Sequence, residues 1–431
     1  MMNTLENINF GVEKCQQLPS ALNSFSENKF AKLAQWPIPT RKTEAWKYSS
    51  KRLGMAVNDT ATPASNDRQQ TEYETSYTLD CDTLVISNGQ LPAQLPNIDG
   101  LSIIAFSDLN EAQSKLVQAG AIASSDNLLF ADLNTAYLQN GVFIELKDNQ
   151  HLDKPLKIVF QQSGESNSFP RVFVHVGKAS SMTLIEETAT RTGLDHTDIV
   201  SKPNAALLNS VTDMHVSANA KLSFLKMNID HQAARHIAST GVSLMRDARF
   251  VSYCLSLGNQ LNRHDLLVKM MEPGAECDLN GICVTTDKQH VDCHTSIEHI
   301  APHCTSNETY RCIADKQSQI VFNGRIHILP DAQKTLGSMS NKNLLLSSEA
   351  EIDSKPELEI YADDVKCAHG TTIGQLDETE LYYLKTRGIS HEQAKLMLTL
   401  GFVLEVVRAC PIAEIADYWE KTLADILSYQ V

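Results

Sequence analysis

The sequence lacks the features that are typical of a secreted protein. Its ten cysteines include no Cys-x-x-Cys pair, and its first residues, Met1-Met2-Asn-Thr-Leu-Glu, have neither a basic start nor an apolar core. These absences argue against a disulfide framework and a secretory signal. We therefore expect reduced thiols and a cytoplasmic protein.

Other absences exclude classes of function. There is no Gly-x-x-x-x-Gly-Lys-Ser/Thr loop for phosphates and no Gly-x-Ser-x-Gly nucleophile elbow. Positive charge is scarce, and the net charge of −15 disfavours general binding to nucleic acid or anionic membranes. The longest apolar run, Leu396–Val407, contains Glu405 and follows a helical period, so it is not a membrane span. We expect a protein that works in solution, with no nucleic-acid or membrane partner.

Short β-like runs are abundant between residues 81 and 376, and turn residues such as Pro273-Gly274 separate them. The runs are Thr83–Ser87, Val142–Leu146, Leu156–Phe160, Val172–Val176, Met182–Glu186, Leu222–Met227, Phe250–Leu257, Leu266–Met271, Cys277–Val284, Val291–Ile297, Ser318–Ile328 and Leu358–Ile360. With little helix between them, they exclude an alternating βαβ domain. Sandwiches, a propeller and a stacked solenoid remain. Because the spacing is short and irregular, we favour a mainly β fold with a right-handed parallel β-helix core over residues 81–376.

The N-terminal region, residues 1–80, predicts a helical domain followed by a mobile linker. Ser20 marks a helix start, apolar positions recur through Trp36, and Pro37 ends the pattern. Residues 57–80 are rich in Ser, Thr, Asn and Asp and have few large apolar groups, which indicates the linker.

A compact basic and aromatic cluster, Arg41–Ser49, follows the first helix. A positively charged contact surface is one interpretation of it. We favour a helix that packs Trp46 and Tyr48 on the core and leaves its lysines in solvent, because amphipathic side chains commonly divide in this way.

Residues 377–431 predict a C-terminal helical domain. Asp377-Glu-Thr-Glu is typical of a helix start, and Arg387-Gly388 is a stop. Ser390–Gln393 has the form of a capping box and opens a long helix, which Cys410-Pro411 ends. A last helix follows to Leu427, so the segment is a cap or a docking lobe.

The first candidate for chemistry lies in the stretch Glu357–Gly374, whose alternation predicts an extended segment. Strand geometry places Cys367 and His369 on one face, two residues apart. A thiolate beside an imidazole suits iron, zinc or copper(I). Two ligands do not complete such a site, so the others must come from elsewhere in the chain, from solvent or from a second protein. A buried cysteine beside a solvated histidine is an equally good interpretation of the spacing.

The second candidate is the run His290–Cys304, which holds four histidines and two cysteines. Alternation puts His290, Asp292 and His294 on one face and small or apolar residues on the other. A polar outer face over an apolar inner face explains this without metal, and we favour that interpretation.

Catalytic carboxylates are a weaker possibility. Asp363-Asp364 is compatible with a β-helix enzyme that acts on carbohydrate. Adjacent residues of a strand face opposite ways, however, and cannot flank one glycosidic bond. This function is kept as the alternative.

Several longer motifs together resemble the SufB/SufD family of iron–sulfur cluster assembly proteins, and its SufD branch in particular. The resemblance spans most of the chain. It is carried by Lys42-Thr43-Glu44-x-Trp46-Lys47-Tyr48, Phe322-Asn323-Gly324, Asn343-Leu-Leu-Leu346, the stretch Ala350–Gly370 with Lys355-Pro356 and Lys366-Cys367-x-His369-Gly370, and Tyr383-Leu384-x-x-Arg387-Gly388-Ile389.

The resemblance implies a central right-handed β-helix between N- and C-terminal helical domains. It implies a non-catalytic scaffold subunit that pairs with a SufB-like subunit and binds a SufC-like ABC-type ATPase through the C-terminal lobe, at Tyr383, Leu384, Arg387 and Gly388. Cys367 and His369 match family positions at the subunit interface, where they would form half of a site for a transient iron–sulfur cluster. The assembled scaffold is also linked to reduced flavin, with no site assigned on this chain, and a homodimer of the isolated chain remains open.

A further hypothesis is that the chain is the SufB subunit itself. Two features disfavour it: the compact N-terminal region and the motif Lys366-Cys367-Ala-His369-Gly370. Co-purification separates the hypotheses, because the scaffold should bring down two other chains and the carbohydrate enzyme none.

Overall fold

The computed structural model describes residues 18–53, 77–125, 128–162, 167–190, 206–229 and 234–428. Eighteen strands lie within them: β1 Asp82–Ser87, β2 Leu101–Ala105, β3 Gly141–Leu146, β4 Leu156–Gln162, β5 Arg171–Val176, β6 Ser181–Thr190, β7 Leu207–Val216, β8 Lys221–Asn228, β9 Arg235–Leu244, β10 Arg249–Leu257, β11 Leu261–Met270, β12 Glu276–Thr285, β13 His290–His299, β14 Thr305–Ala314, β15 Gln319–Ile328, β16 Leu336–Leu345, β17 Glu351–Ile360 and β18 Lys366–Gly374. The α-helices of the same residues are α1 Ser20–Phe30, α2 Glu111–Ala119, α3 Ile122–Ser125, α4 Leu129–Ala136, α5 Glu378–Thr386, α6 His391–Ala409 and α7 Ala413–Ser428.

The strands form two nine-stranded sheets. Sheet I has the order β1-β4-β6-β8-β10-β12-β14-β16-β18, and sheet II the order β17-β15-β13-β11-β9-β7-β5-β3-β2. Only the pair β2–β3 is antiparallel among the named pairs of the described residues. From β3 onward the chain alternates between the sheets, which makes a parallel β-solenoid of about seven turns. The predicted class, a mainly β protein with a parallel β-helix core and flanking helices, is confirmed.

The coils stack in register because their corners repeat. At three corners from sheet II to sheet I, Asn149, Asn219 and Asp247 have φ values of 59°, 59° and 55°. Asn and Asp tolerate this left-handed conformation better than other residues with a Cβ. The amide N–H of Asn219 donates to the carbonyl of Arg246 in the next coil, at 2.9 Å. Each of these corners is thereby bonded to the corner of the next coil.

The main core lies between the two sheets, where alternate side chains of each strand meet. Val242, Phe250 and Ile297 are fully buried members of it. A second apolar cluster covers the outer face of sheet I, because Val407 of α6 and Trp419 of α7 pack there. Burial of this kind stabilises by roughly 25 cal/mol per Å² of apolar surface. The C-terminal helices are therefore attached to the solenoid wall.

The structure differs from the sequence-based expectation in the following two respects. Helices α2–α4 interrupt the region expected to hold little helix, and they cover the outer face of the first sheet II strands through Val117, Phe143 and Phe173. The stretch Glu357–Gly374 is not one extended segment, because residues 361–365 form a corner and its two halves belong to different sheets. The predicted linker at 57–80 lies, up to residue 76, outside the described residues.

The start and stop signals predicted for the first two C-terminal helices agree with the structure. The Asp377 side chain accepts a hydrogen bond from the Thr379 N–H at the start of α5, and Gly388 follows its end with a φ of 83°. Ser390 caps α6 by accepting from the Gln393 N–H. In the described part of the chain, no helix is both long and apolar enough to cross a membrane.

Candidate functional site

Cys367 and His369 lie on β18, the terminal strand of sheet I. They pair in register with Gly337 and Met339 of β16, so both belong to the face that continues the interior of the solenoid. Cys367 is half-buried against the core cluster, whereas His369 is exposed. The other edge of β18 meets no further strand among the described residues. Both groups can therefore be approached from outside the chain.

The immediate surroundings leave room for the thiol. A Cβ at Gly337 would lie 3.4 Å from the Cys367 Sγ, so a larger residue there would crowd the sulfur. Burial raises the pKa of the Cys367 thiol, and a backbone hydrogen bond from Gly337 opposes the rise. Because metals bind the thiolate, ligation at Cys367 has to displace a proton.

Among the described residues, Cys367 and His369 have too few neighbouring side chains to complete a metal site. No group of three or more His, Cys, Asp or Glu side chains is placed to hold a metal ion within the described ranges. Asp363 and Asp364 are exposed at the corner between β17 and β18, so the strand argument applied to this pair was wrong. Tetrahedral zinc sites and iron–sulfur clusters normally use four protein ligands. Cys367 and His369 can supply at most half of such a set.

Large apolar side chains surround the same end of the solenoid. Ile373 lies on the same face of β18 and is 50% exposed. Leu336, Ile360 and Tyr361 are also exposed, the last at 61%. Exposed apolar groups on an uncovered last coil are candidates for an interaction surface. We call this the open end: Leu336, Ile360, Tyr361 and Ile373 around Cys367 and His369.

The C-terminal lobe presents a second exposed feature. Tyr383 is 56% exposed on α5, and the Arg387 guanidinium lies over its ring at 5.1 Å while its Nη2 donates to the Tyr383 Oη at 3.0 Å. Leu384 is half-buried, and its carbonyl accepts from the N–H groups of Arg387 and Ile389 around Gly388. These contacts join the four residues at the end of α5. Packing within a helical hairpin explains Leu384 but not the exposed aromatic ring.

Comparison with known proteins decides the family. The profile described as SUF system FeS cluster assembly, SufBD core domain, matches residues 159–402. This chain belongs to the SufBD core family. The matched range contains Cys367 and His369 and the helix end at Tyr383–Gly388.

Full-length relatives agree with this assignment. The chain is 28% identical to the iron–sulfur cluster assembly protein SufD of Escherichia coli, over 93% of this chain and 90% of that protein. It is 29% identical to an iron–sulfur cluster assembly SufBD family protein of Synechocystis, over 77% of this chain and 75% of that one. The chloroplastic protein ABCI7 of Arabidopsis thaliana is 28% identical, over 89% and 82% respectively.

The second candidate of this SufBD-family chain, His290–Cys304, comprises β13 and the corner that follows it. Val291, Cys293 and Ile297 face the core, as predicted. The start of the outer face is enclosed, because the Ser49 hydroxyl bonds to both His290 and Asp292, whereas His294 remains partly exposed. Burial lowers the pKa of His290 to about 4. Burial opposes ionisation of Asp292, but Arg263 and His294 hold its pKa well below the usual range.

The N-terminal motif, residues 42–48, lies against the outer face of sheet II and helps to cover it. Trp46 is buried, as predicted, and the Arg263 guanidinium stacks on its ring at 4.0 Å. Arg263 also donates to the Ala45 carbonyl at 2.7 Å. Glu44 reaches Lys355 of β17 at 2.6 Å. Sequence reasoning missed Arg263 because its partners lie far away along the chain, and no local pattern marks it.

Proposed function

We propose that this chain is a non-catalytic scaffold subunit of an iron–sulfur cluster assembly complex, in which it pairs with a SufB-like subunit. The observation that carries the proposal is the placement of a half-buried thiol and an exposed imidazole on one face of the terminal strand β18. An incomplete ligand pair at an exposed sheet edge fits a site that a second subunit completes.

The nascent cluster is cargo rather than a resident group. Cys367 would donate a thiolate to iron, and His369 a neutral imidazole nitrogen, while the SufB-like subunit supplies the remaining ligands. The exposed apolar groups of the open end would bury on pairing and exclude water from the site. Because the pKa of Cys367 is raised, iron ligation by this thiol should strengthen as the pH rises towards that pKa.

A SufC-like ATPase would dock on the C-terminal lobe. The exposed Tyr383–Arg387 pair and the helix end at Gly388 offer it an aromatic and cationic contact. No phosphate-binding loop occurs in this sequence, so ATP turnover would belong to that partner. Its cycle would shift the paired scaffold between arrangements that cover and uncover the shared site.

The decisive experiment is anaerobic co-expression with the two partner chains, followed by counting iron and acid-labile sulfide per complex. His369→Ala should retain the fold and both partners but lose most of the cluster, since one ligand is gone. Thr372→Ala on the same exposed strand is the matched control and should retain it. The absorbance spectrum of the same preparations tests for bound flavin.

A wild-type yield of iron and sulfide from His369→Ala would remove the ligand assignment. Purification of the tagged chain without companions would remove the scaffold assignment. In that case the alternative hypothesis, an enzyme that acts on carbohydrate, should be tested by measuring hydrolysis of polysaccharides by the isolated chain.

A further inference from the structure

Four buried cysteines gather inside the middle coils of the solenoid, away from the open end. They are Cys254 on β10, Cys283 on β12, Cys293 on β13 and Cys312 on β14. The Cys283 and Cys293 Sγ atoms are 3.4 Å apart, and both residues are 2% exposed or less. This close contact joins sheet I to sheet II across the core.

The two thiols flank one corner of the solenoid. Residues 286–289 connect β12 to β13, and both cysteines point inward on either side of that corner. Cys312 lies beside Cys283 on the next strand of sheet I, in register with it. A disulfide needs its sulfurs at about 2.05 Å and its Cβ atoms about 3.5–4.5 Å apart. The pair across the corner needs only a small approach of two side chains that already face each other.

We propose that Cys283 and Cys293 form a redox-active dithiol that closes to a disulfide between the two sheets when the protein meets a peroxide. In the first step, one thiol sulfur takes an oxygen from the peroxide O–O bond, which gives a sulfenic acid and, from hydrogen peroxide, one water. In the second step, the other thiol attacks that sulfur and a second water leaves. Two thiols lose two electrons and two hydrogens in total, and one hydrogen peroxide is reduced to two waters.

A chain of polar side chains connects this site to the exterior. The Asn341 Nδ2 lies 3.7 Å from the Cys312 Sγ, and the Ser354 hydroxyl donates to the Asn341 Oδ1 at 2.7 Å. Ser354 also bonds to Thr371 at 2.9 Å, and Thr371 is exposed on β18. A small polar oxidant can follow such groups more easily than it can cross a purely apolar core.

The chemistry of the pair makes oxidation slow and pH-dependent. The contact with Cys293, the neighbouring Cys312 and burial all raise the pKa of Cys283 well above its usual range. Since the thiolate is the nucleophile, we expect little reaction at pH 7. The rate should rise roughly tenfold with each unit of pH increase, as long as the pH stays below that pKa. Cytosolic reductants would return the disulfide to thiols.

The test uses the full chain, purified reduced, treated with hydrogen peroxide at several pH values, quenched by alkylation and digested without reductant. Mass spectrometry should find the peptides of Cys283 and Cys293 linked, and dithiothreitol should separate them. Cys283→Ala and Cys293→Ala should each abolish that linked pair. Cys277→Ala, on the same strand as Cys283 and equally buried, is the matched control and should retain it.

Three results would overturn the proposal. One is the absence of the linked pair in the native chain after prolonged treatment at high pH. Another is a bond from Cys283 to Cys312 in place of Cys293. A third is the linked pair in unfolded chain only, detected by the same digest after treatment in denaturant. The melting temperature of each variant establishes that it is folded, and the two alanine variants test the pair independently.

Discussion

Cysteine and histidine side chains occur both in the middle coils of the solenoid, β10–β14, and in its last coil, β16–β18. Their surroundings differ between the two regions. Cys283 and Cys367 both face inward from strands of sheet I, yet Cys283 is fully buried and Cys367 is half-buried. His290 is enclosed by the N-terminal segment, while His369 is exposed. In a stacked fold each coil covers its neighbour, and a coil without a further neighbour remains uncovered. Position in the stack, more than residue type, therefore decides which cysteine and histidine can meet a partner.

Ion pairs also differ in burial between the middle coils and the last coil. Arg263 is enclosed and bonds to Asp265 and Asp292, whereas Arg325 bonds to Glu359 on a half-exposed surface near the open end. A buried ion pair that loses one partner leaves an uncompensated charge, but an exposed pair is screened by water. This contrast gives the largest predicted effect.

We predict that Arg263→Ala lowers the free energy of unfolding by about 3–5 kcal/mol, because Asp292 and Asp265 lose their buried counter-charge. Arg325→Ala, the matched control, should cost about 1 kcal/mol or less. Urea denaturation of both variants measures the difference. Equal losses of unfolding free energy would show that Arg325, near the last coil, is as well shielded from water as Arg263 in the middle coils.

The second prediction concerns pH. Burial raises the pKa of Glu308 in the core to about 7, although the Thr295 hydroxyl donates to it at 2.5 Å. An unfolded glutamate titrates near 4.5, so the folded chain holds the proton more tightly. The corresponding stability is present below pH 4.5 and is lost as the pH rises through 7, by about 3 kcal/mol.

Glu308→Gln should remove this decline, as followed by denaturation between pH 4 and pH 8. Glu359→Gln is the control with the opposite sign, because Arg325 lowers the pKa of Glu359 and its small contribution disappears as the pH falls. A wild-type slope in Glu308→Gln would mean that another buried group causes the decline.

Glycines of the two regions supply the third prediction. A Cβ on Gly281 would lie 2.1 Å from the Tyr310 ring, whereas one on Gly370 of β18 would have no heavy atom within 4 Å. Gly281→Ala should therefore cost about 1–3 kcal/mol through overpacking. Gly370→Ala should change stability by about 0.5 kcal/mol or less. Thermal and urea unfolding of the isolated variants provide the comparison, and a destabilised Gly370→Ala would contradict the open geometry of the last coil.

Sequence patterns predicted most strands of the solenoid but missed β2, β7, β9, β14 and β16. β8 was recognised from Leu222–Met227, but β9 and β16 were missed because Thr240 and Asn341 resemble turn residues. Their partners are tertiary: the Thr240 hydroxyl bonds to His264 at 3.0 Å, and Asn341 to Ser354. No local pattern contains that information.

The candidate site was predictable only in part. Alternation was enough to place Cys367 and His369 on one face, since both fall within one strand. It could not show that β18 is the terminal strand, because that depends on how many coils precede it and on what covers them. The Glu44–Lys355 contact, which joins residues 311 apart, was equally out of reach. Long-range placement is set by the packing of the whole stack.

The smallest predicted effect on stability belongs to the open end. Ile373→Ser removes an apolar side chain that is already 50% exposed, so the free energy of unfolding of the isolated chain should change by about 0.5 kcal/mol or less. If the proposed pairing buries Ile373, the same change should weaken binding of a SufB-like subunit by roughly tenfold or more, because a buried apolar anchor in an interface contributes on the order of 2 kcal/mol. Calorimetric titration with the purified partner measures the second effect and urea unfolding the first. Loss of stability with unchanged pairing would mean that Ile373 serves the fold, and the last coil would then resemble the middle coils after all.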